Sequence, residues 1–227
     1  MNNPSVNATA IAIFVKTPGL SPVKTRLAAT LGTAAAEQFY QLCTEAIEET
    51  LATTTTSLNI VPFWAVGEEA GLCHPMWRGF ETIYTGEGDL GARQHHIYQT
   101  LLAKYPRVIL IGADSPQLSA SRLNSAIEAL DNHHYALGRA VDGGYYLFAG
   151  RAPLRKSIWT DVTYSTADTA SQLLAQLPSK AARLESLTDV DTTEDLIRLR
   201  DELAAVITPS KSQKTILDYI EFTLMKS

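Results

Sequence analysis

Short apolar runs alternate with longer segments of helical periodicity along most of the chain. A strand buried on both faces of a parallel sheet reads as a nearly continuous apolar run, whereas a surface helix repeats apolar residues every three or four positions. Strands are therefore predicted at 10–16, 58–66, 80–84, 107–112, 135–139 and 145–149. Helices are predicted at 33–52, 90–105, 119–130, 166–177, 193–205 and 216–225, with a polar linker at 208–213.

This alternation of strands and helices predicts a doubly wound α/β sheet. The last two strands flank Asp142-Gly143-Gly144, which favours an added antiparallel element at that point. Short polar residues at helix starts accept hydrogen bonds from free backbone N–H groups, so they are predicted as N-caps. The predicted caps are Thr33, Asp89, Ser119 or Ser121, and Thr192.

Composition narrows the class of protein. The chain has 227 residues, of which 45% are hydrophobic and 19% charged, which suits one α/β domain with or without a small appendage. Its formal net charge of −5 argues against general binding to nucleic acid or anionic membranes. Any anion must therefore be held by a local group of cations.

Other functional classes find little support in the sequence. Cys43 and Cys73 have no metal-ligand or redox spacing, and the adjacent histidines at 95–96 and 133–134 point too far apart on a helix to chelate one ion. Residues 1–10 lack the pattern of a signal peptide, and no apolar run reaches the roughly 18 residues of a membrane span. We therefore expect a soluble, cytoplasmic protein.

Cations gather in the loop that follows the first predicted strand. Lys16 ends that strand, and Lys24 and Arg26 stand where a helix is predicted to begin. In open α/β sheets ligands bind beyond the carboxyl ends of the strands, and helix N-termini attract anions. The loop is either a solvated basic loop or a phosphate site, although it matches neither a Walker A loop nor a GxGxxG fingerprint.

Carboxylates follow other strands. Asp114 comes directly after the apolar run 108–113, where a charge is costly unless it is paired, capped or bound to a cation. Asp114 is either a cap before Pro116 or a ligand of Mg²⁺ or Mn²⁺. Asp191 either begins the turn capped by Thr192 or closes the metal site from the opposite side, and Asp189 is predicted to be structural.

Two glycine-containing segments have a similar ambiguity. Asp142-Gly143-Gly144 is either an ordinary turn or the edge of an acceptor pocket, because glycine allows close backbone approach. The segment 86–91 is either a turn capped by Asp89 or a contact to the base or sugar of a nucleotide.

Taken in order, these motifs resemble a known superfamily. They are Phe14-Val15-Lys16-x-Pro18, Val23-Lys24-Thr25-Arg26-Leu27, Gly88-Asp89-Leu90-Gly91, Ile111-Gly112-Ala113-Asp114-Ser115-Pro116, Asp142-Gly143-Gly144-Tyr145-Tyr146 and Asp189-Val190-Asp191-Thr192. The set resembles the GT-A-fold nucleotide-diphospho-sugar transferases, most of all the radical-SAM/selenodomain-associated branch. It is also similar to nucleotidyltransferases of the phospholactate guanylyltransferase type.

The resemblance implies a three-layer α/β/α fold of the GT-A, Rossmann-like type with a mostly parallel central sheet. The likeness runs from about residue 11 to residue 199, and together with the apolar pattern it predicts a single domain over 1–227, with a core at 9–206 and a C-terminal amphipathic helix within 207–227. The partners would be a small nucleotide donor and a small acceptor, without nucleic acid. The apolar face of the last helix would serve either the core or a homodimer.

The resemblance also assigns roles to particular residues. Lys24, Asp114 and Asp142 would be catalytic, and Asp114 and Asp191 would hold Mg²⁺ or Mn²⁺. The nucleotide, an NTP or a nucleotide sugar, would contact a larger set of residues. They are Lys16, Lys24, Arg26, Gly88, Asp89 and Gly91.

One departure from the superfamily pattern bears on the reaction. Many GT-A glycosyltransferases carry Asp-x-Asp at the metal, whereas this chain has Asp114-Ser115-Pro116, in which Pro116 cannot be a ligand. The superfamily favours glycosyl transfer with a nucleoside diphosphate leaving group. The departure and the number of cations favour nucleotidyl transfer with release of pyrophosphate, and a nucleotide-binding regulator without turnover is a third alternative.

Overall fold

The computed structural model describes residues 7–225 of the chain. The prediction about a signal peptide falls largely on residues 1–6, which lie outside the described residues, as do 226–227. Seven strands form one sheet in the order β3-β2-β1-β4-β6-β5-β7. The strands are β1 (Thr9–Val15), β2 (Ile60–Val66), β3 (Glu81–Tyr84), β4 (Arg107–Gly112), β5 (Tyr135–Ala140), β6 (Tyr145–Gly150) and β7 (Ala182–Leu187).

Helices connect most of the strands. They are α1 (Thr25–Leu31), α2 (Thr33–Thr54), α3 (Leu90–Leu102), α4 (Ala120–Asn132), α5 (Lys156–Thr160), α6 (Thr169–Gln176), α7 (Thr193–Ala204) and α8 (Lys211–Leu224). Two short 3-10 turns, Glu69–Gly71 and Pro75–Trp77, lie between β2 and β3. No helix within residues 7–225 is long and apolar enough to cross a membrane.

The sheet is parallel except for β6, which runs antiparallel to its neighbours β4 and β5. The chain moves from β1 outwards to β2 and β3, then returns through α3 to β4 on the other side of β1. The strand order therefore reverses between β1 and β4. A crevice opens at such a reversal, beyond the carboxyl ends of the two strands.

Three hydrophobic clusters hold the layers together. Alternate residues of the sheet face opposite sides, so Ile11 and Ile13 pack with α2 and α4, whereas Ala10 and Ala12 pack with α3, α5 and α6. A third cluster joins α1 and α2 to α7 and α8 outside the sheet. Helices on both faces of a mostly parallel sheet confirm the predicted three-layer α/β/α class.

The last helix uses its apolar face within the chain. Ile216 and Ile220 are fully buried in the cluster that contains α2. The Glu49 carboxylate of α2 accepts hydrogen bonds from Ser210 Oγ and Ser212 N at the start of α8, each 2.8 Å long. The apolar face of α8 therefore packs against the core, which was one of the two predicted uses. A homodimer stays a prediction.

The predicted elements are confirmed with several corrections. Asp89, Ser119 and Thr192 are N-caps, but Gly32 rather than Thr33 precedes α2. The C-terminal helix spans Lys211–Leu224, so the end of the predicted linker is already helical because Ser210 caps it with Gln213. Strand β7 and helix α5 were not predicted, since β7 has many polar and exposed residues and α5 is short.

Candidate active site

An open cleft with a volume of about 720 Å³ lies at the crevice between β1 and β4. Residues at the carboxyl ends of β1, β2 and β4 form its floor, together with the first residues of the antiparallel β6. Its charged and polar lining consists of Lys16, Ser21, Lys24, Thr25, Arg26, Tyr40, Glu68, Thr85, Arg93, Gln94, Asp114, Tyr145, Tyr146, Ser165 and Asp191.

Lys24 is the centre of the charged group in this cleft. Its Nζ lies 2.9 Å from Asp114 Oδ1, 3.7 Å from Asp191 Oδ1 and 2.5 Å from the carbonyl oxygen of Val190. Only 3% of the Lys24 side chain is exposed, compared with 45% for Asp114 and 37% for Asp191. Burial, the largest single effect, lowers the pKa of Lys24, but the charge and hydrogen bond of Asp114, together with Cys43 and Asp191, outweigh burial, so that the net pKa is raised.

The backbone of Lys24 is also unusual. Its φ of 47° places it in the left-handed region at the N-cap of α1. Non-glycine residues are uncommon there, and such a conformation persists only when the surroundings enforce it. The ammonium group of the same residue contacts two distant loops.

The loops that carry Asp114 and Asp191 are joined by a buried network. Gln117 Nε2 donates to the carbonyl oxygen of Thr188 at 2.5 Å and to Glu202 Oε2 at 2.8 Å, and Thr188 Oγ1 donates to Glu202 Oε1 at 2.5 Å. From the other side, Gln213 Nε2 donates to the carbonyl oxygen of Pro116 at 3.0 Å. Helices α7 and α8 therefore hold the two acidic loops in register.

Arg26 and Lys16 are two cations of the cleft that are more accessible than Lys24. Arg26 NH1 lies 3.1 Å from Asp191 Oδ2, and its side chain is 60% exposed. Lys16 is exposed, and its backbone is held by Tyr40, whose hydroxyl accepts from Lys16 N and donates to Lys16 O. Unlike Lys24, Arg26 and Lys16 can bind an anion in the cleft without breaking a buried ion pair.

Further carboxylates lie close behind the cleft. Burial raises the pKa of Asp189 to about 7, with Asp142, Asp191 and Asp114 as additional causes. Asp142 Oδ1 accepts a hydrogen bond of 2.7 Å from Gly144 N, so this carboxylate shapes the turn before β6. Gly143 in that turn has a φ of 97°, and a Cβ there would lie 2.0 Å from Ala167 O.

The opposite wall of the cleft is formed by α3 and β6. The Arg93 guanidinium donates to the carbonyl oxygens of Gly67 at 2.7 Å and Gly88 at 2.9 Å, and to Thr85 Oγ1 at 2.8 Å. Gln94 Oε1 accepts from Tyr145 Oη at 2.5 Å. Arg93 thus ties together the loops after β2 and β3, and Gln94 ties α3 to β6.

The structure brings together only some of the predicted site residues. Those that line the cleft are Lys16, Lys24, Arg26, Asp114 and Asp191. Those that do not line it are Gly88, Asp89, Gly91 and Asp142.

The residues outside the cleft have visible structural roles. Asp89 Oδ1 caps α3 through Ala92 N, and Gly88 O accepts from Arg93. Gly91 allows α3 to approach α5, since a Cβ there would lie 2.3 Å from Trp159 O. The positions of Gly91 and Asp142 therefore do not support direct contacts to a ligand, and their predicted roles stay predictions.

Sequence reasoning missed Arg93, Glu68 and Gln94. Arg93 and Gln94 lie near the start of a predicted helix that follows a strand, and this position was the available signal. Glu68 Oε2 accepts from Thr17 N at 2.8 Å, a contact between loops after two different strands that no local pattern announces.

The arrangement of Asp114 and Asp191 fits a divalent cation completed by a substrate. Mg²⁺ commonly takes one or two carboxylates and obtains its other ligands from phosphates and water. Within residues 7–225 no three His, Cys, Asp or Glu side chains form a metal site by themselves. Asp114 and Asp191 are both partly exposed in the cleft, so an ion could reach their carboxylates, and the cation that they share in this structure is Lys24.

Comparison with known proteins supports the fold. A family model described as "Uncharacterized protein conserved in bacteria (DUF2064)" matches residues 48–166. No curated protein matches the chain. A crystal structure from Desulfovibrio desulfuricans G20, provisionally named a nucleotide-diphospho-sugar transferase, is 24% identical, with a TM-score of 0.83 over 96% of this chain and 97% of that chain.

Two more distant structures share the architecture. The 4-diphosphocytidyl-2C-methyl-D-erythritol synthase of Anaerococcus prevotii DSM 20548 is 13% identical, with a TM-score of 0.55 over 86% of this chain and 97% of that chain. A protein of Mycobacterium tuberculosis H37Rv, solved in complex with manganese, is 14% identical, with a TM-score of 0.50 over 88% of this chain and 100% of that chain. These likenesses confirm the nucleotide-diphospho-sugar transferase fold.

Proposed function

The chain belongs to the DUF2064 family of bacterial proteins, and we propose that it is a metal-dependent transferase that uses an activated nucleotide as its donor. One observation carries this proposal. At the reversal of strand order, two carboxylates from separate loops meet a buried ammonium group, and two further cations stand beside them in the same cleft. A nucleotide phosphate with a divalent ion requires both signs of charge in one place.

Asp114 and Asp191 would hold Mg²⁺ or Mn²⁺. Such an ion, when bound, stabilises negative charge on the departing phosphate oxygen. The manganese complex of the M. tuberculosis neighbour supports an ion of this kind in the fold.

The chain's own cations would bind the phosphates. Lys16 and Arg26 are the accessible cations, and the free backbone N–H groups at the start of α1 add to their field. The wall formed by Arg93, Gln94 and Tyr145 would orient the rest of the donor or the small acceptor. The cleft volume of about 720 Å³ leaves room for a donor and a small acceptor.

The similarity to the D. desulfuricans structure favours glycosyl transfer from a nucleotide sugar. Nucleotidyl transfer is the second candidate, and a specific observation favours it. The second carboxylate comes from the loop after β7 rather than from an Asp-x-Asp motif, and Lys24 joins it to Asp114. In that reaction the α-phosphorus of an NTP would be attacked by a phosphorylated or carboxylated acceptor, with pyrophosphate as the leaving group.

A panel of nucleotides tests the proposal. Thermal unfolding is measured with NTPs and nucleotide sugars, each with and without Mn²⁺, and the released product is then identified for the donor that binds. A ligand at one hundred times its dissociation constant stabilises the folded state by about 2.7 kcal/mol, so the donor should stand out.

The product separates the alternatives. Nucleoside diphosphate indicates glycosyl transfer, pyrophosphate indicates nucleotidyl transfer, and metal-dependent binding without any product indicates a regulator. Asp114→Asn is the control, since it should lose the effect of Mn²⁺ while it keeps the shape of the side chain. If no nucleotide stabilises the protein with or without Mn²⁺, the proposal is wrong.

A further inference from the structure

Lys24 does not present its ammonium group to the cleft in the way a phosphate-binding lysine would. Protein oxygens of Asp114, Asp191 and Val190 surround Nζ at 2.9, 3.7 and 2.5 Å. With 3% of its side chain exposed, almost none of the ammonium surface is left for a ligand. A phosphate could contact this ammonium group only if the ion pair with one of the carboxylates were broken.

The carboxylates that surround Lys24 are the same two that would hold the divalent ion. An ammonium ion and a divalent ion beside the same oxygens repel each other, and the repulsion is strong where little water screens it. The ion and the ammonium group therefore compete for Asp114 and Asp191.

The backbone of Lys24 is a second unusual feature of the same residue. Lys24 has a left-handed conformation at the junction between the loop after β1 and α1, and α1 has no side-chain N-cap. This conformation is uncommon for a non-glycine residue and persists only where the surrounding contacts enforce it.

We propose that Lys24 is the resident counter-cation of the metal site: a divalent ion displaces its ammonium group from Asp114 and Asp191, and the released group then reaches the donor phosphates. This rests on the proposed function only in assigning the ion to these two carboxylates. Lys24 thereby keeps the acidic loops together in the absence of ligand. It also couples the two ligands, because each of them favours the released state of Lys24 that the other requires.

Binding of Mn²⁺ alone tests this exchange, without any donor or turnover. Free Mn²⁺ is measured by electron paramagnetic resonance during titration of the full chain and of Lys24→Met, Lys24→Arg and Lys16→Met. We expect Lys24→Met to bind Mn²⁺ at least tenfold more tightly than the wild type. Lys24→Arg, which keeps the charge, and Lys16→Met, which removes a cleft cation without an ion pair to these carboxylates, should stay within threefold of the wild type.

A second measurement on the wild type covers the case in which Lys24→Met does not fold. The chain is treated with an amine-acylating reagent, and the modification of each lysine is followed by mass spectrometry. Lys24 should be protected without metal and should become acylated several times faster when Mn²⁺ is added. Lys16, which is exposed in this structure and has no ion pair to these carboxylates, is the internal control and should show no such increase.

The outcomes separate this inference from the proposed function. If Mn²⁺ binds but Lys24→Met has the same affinity as the wild type, or if Lys24 stays protected when Mn²⁺ is bound, the exchange is wrong and the transferase proposal stands. If Lys24→Met binds Mn²⁺ more tightly but no nucleotide binds to the wild type, the displacement of Lys24 by the ion stands, whereas its contact to donor phosphates and the transferase proposal fail. If neither protein binds Mn²⁺, with or without a nucleotide, the metal and the exchange are both excluded.

Discussion

Asp189→Asn should stabilise the protein at neutral and alkaline pH. Asp189 lies partly buried next to the carboxylates of the cleft, and burial, followed by the charge of Asp142, raises its pKa from 3.8 to about 7. A carboxyl group with a raised pKa in the folded state binds its proton more tightly there than in the unfolded chain. Its contribution to stability is complete below pH 3.8 and is lost progressively until the pH passes about 7.

The magnitude follows from that pKa. One pKa unit corresponds to about 1.4 kcal/mol, so ionisation of Asp189 lowers the free energy of unfolding by about 4 kcal/mol at most. Because part of the side chain reaches water, screening should reduce this to about 2 kcal/mol. Asn has a similar shape and does not ionise, so Asp189→Asn should avoid the loss.

Urea unfolding followed by tryptophan fluorescence at intervals between pH 4 and pH 8.5 measures this effect. The variant and the wild type should have similar stability near pH 4, and the variant should become more stable by about 2 kcal/mol at pH 8. Asp142→Asn keeps an oxygen for the hydrogen bond from Gly144 N and should shift the pH profile in the same direction by a smaller amount. Parallel pH profiles for Asp189→Asn and the wild type would refute the reasoning.

Two further changes test other parts of the structure. Gln117→Leu should lower the free energy of unfolding by about 1–3 kcal/mol, since Glu202 loses a buried hydrogen-bond partner. The control Asn124→Leu removes only an exposed hydrogen bond and should change the free energy of unfolding by less than about 0.5 kcal/mol. Equal losses in urea unfolding would contradict the network. Hydrogen bonds from Ser212 and Ser210 lower the pKa of Glu49 to about 2, so its contribution is complete above pH 4.5 and lost as the pH falls through about 2. Glu49→Gln should cost about 1 kcal/mol at pH 7, after allowance for solvent exposure, and almost nothing near pH 2. A loss that is the same at both pH values would show that the charge of Glu49 does not hold α8.

Several elements of the fold could be predicted because their signals are local. The run Val108 to Ile111 is apolar at every position and is a strand buried on both faces. Thr192 and Asp195 form the capping box that their spacing suggests, and Asp89 caps α3. Strand β7 escaped prediction because it lies at the edge of the sheet, where half-exposed polar residues hide the alternation.

The candidate site could be predicted in part for a related reason. Parallel strands end at one edge of the sheet, so residues that follow β1 and β4 must lie near each other. This rule placed Lys16 and Asp114 in one region before any contact was known. It could not show that Gly91 serves the packing of α3 on α5, because that role depends on the approach of Trp159 from a distant segment.

The sequence by itself determined the class of fold, the order of its elements and the separation of cations and carboxylates among strand ends, since each of these depends on neighbouring residues or on chain direction. Only the tertiary structure decided that Lys24 is buried between Asp114 and Asp191, and that Asp189 holds its proton to about pH 7. Burial and electrostatic attraction act through space, and the loop after β7 reaches Lys24 from more than a hundred and fifty residues away. Local patterns show which charges exist, whereas the path of the chain decides which of them meet and how much water remains between them.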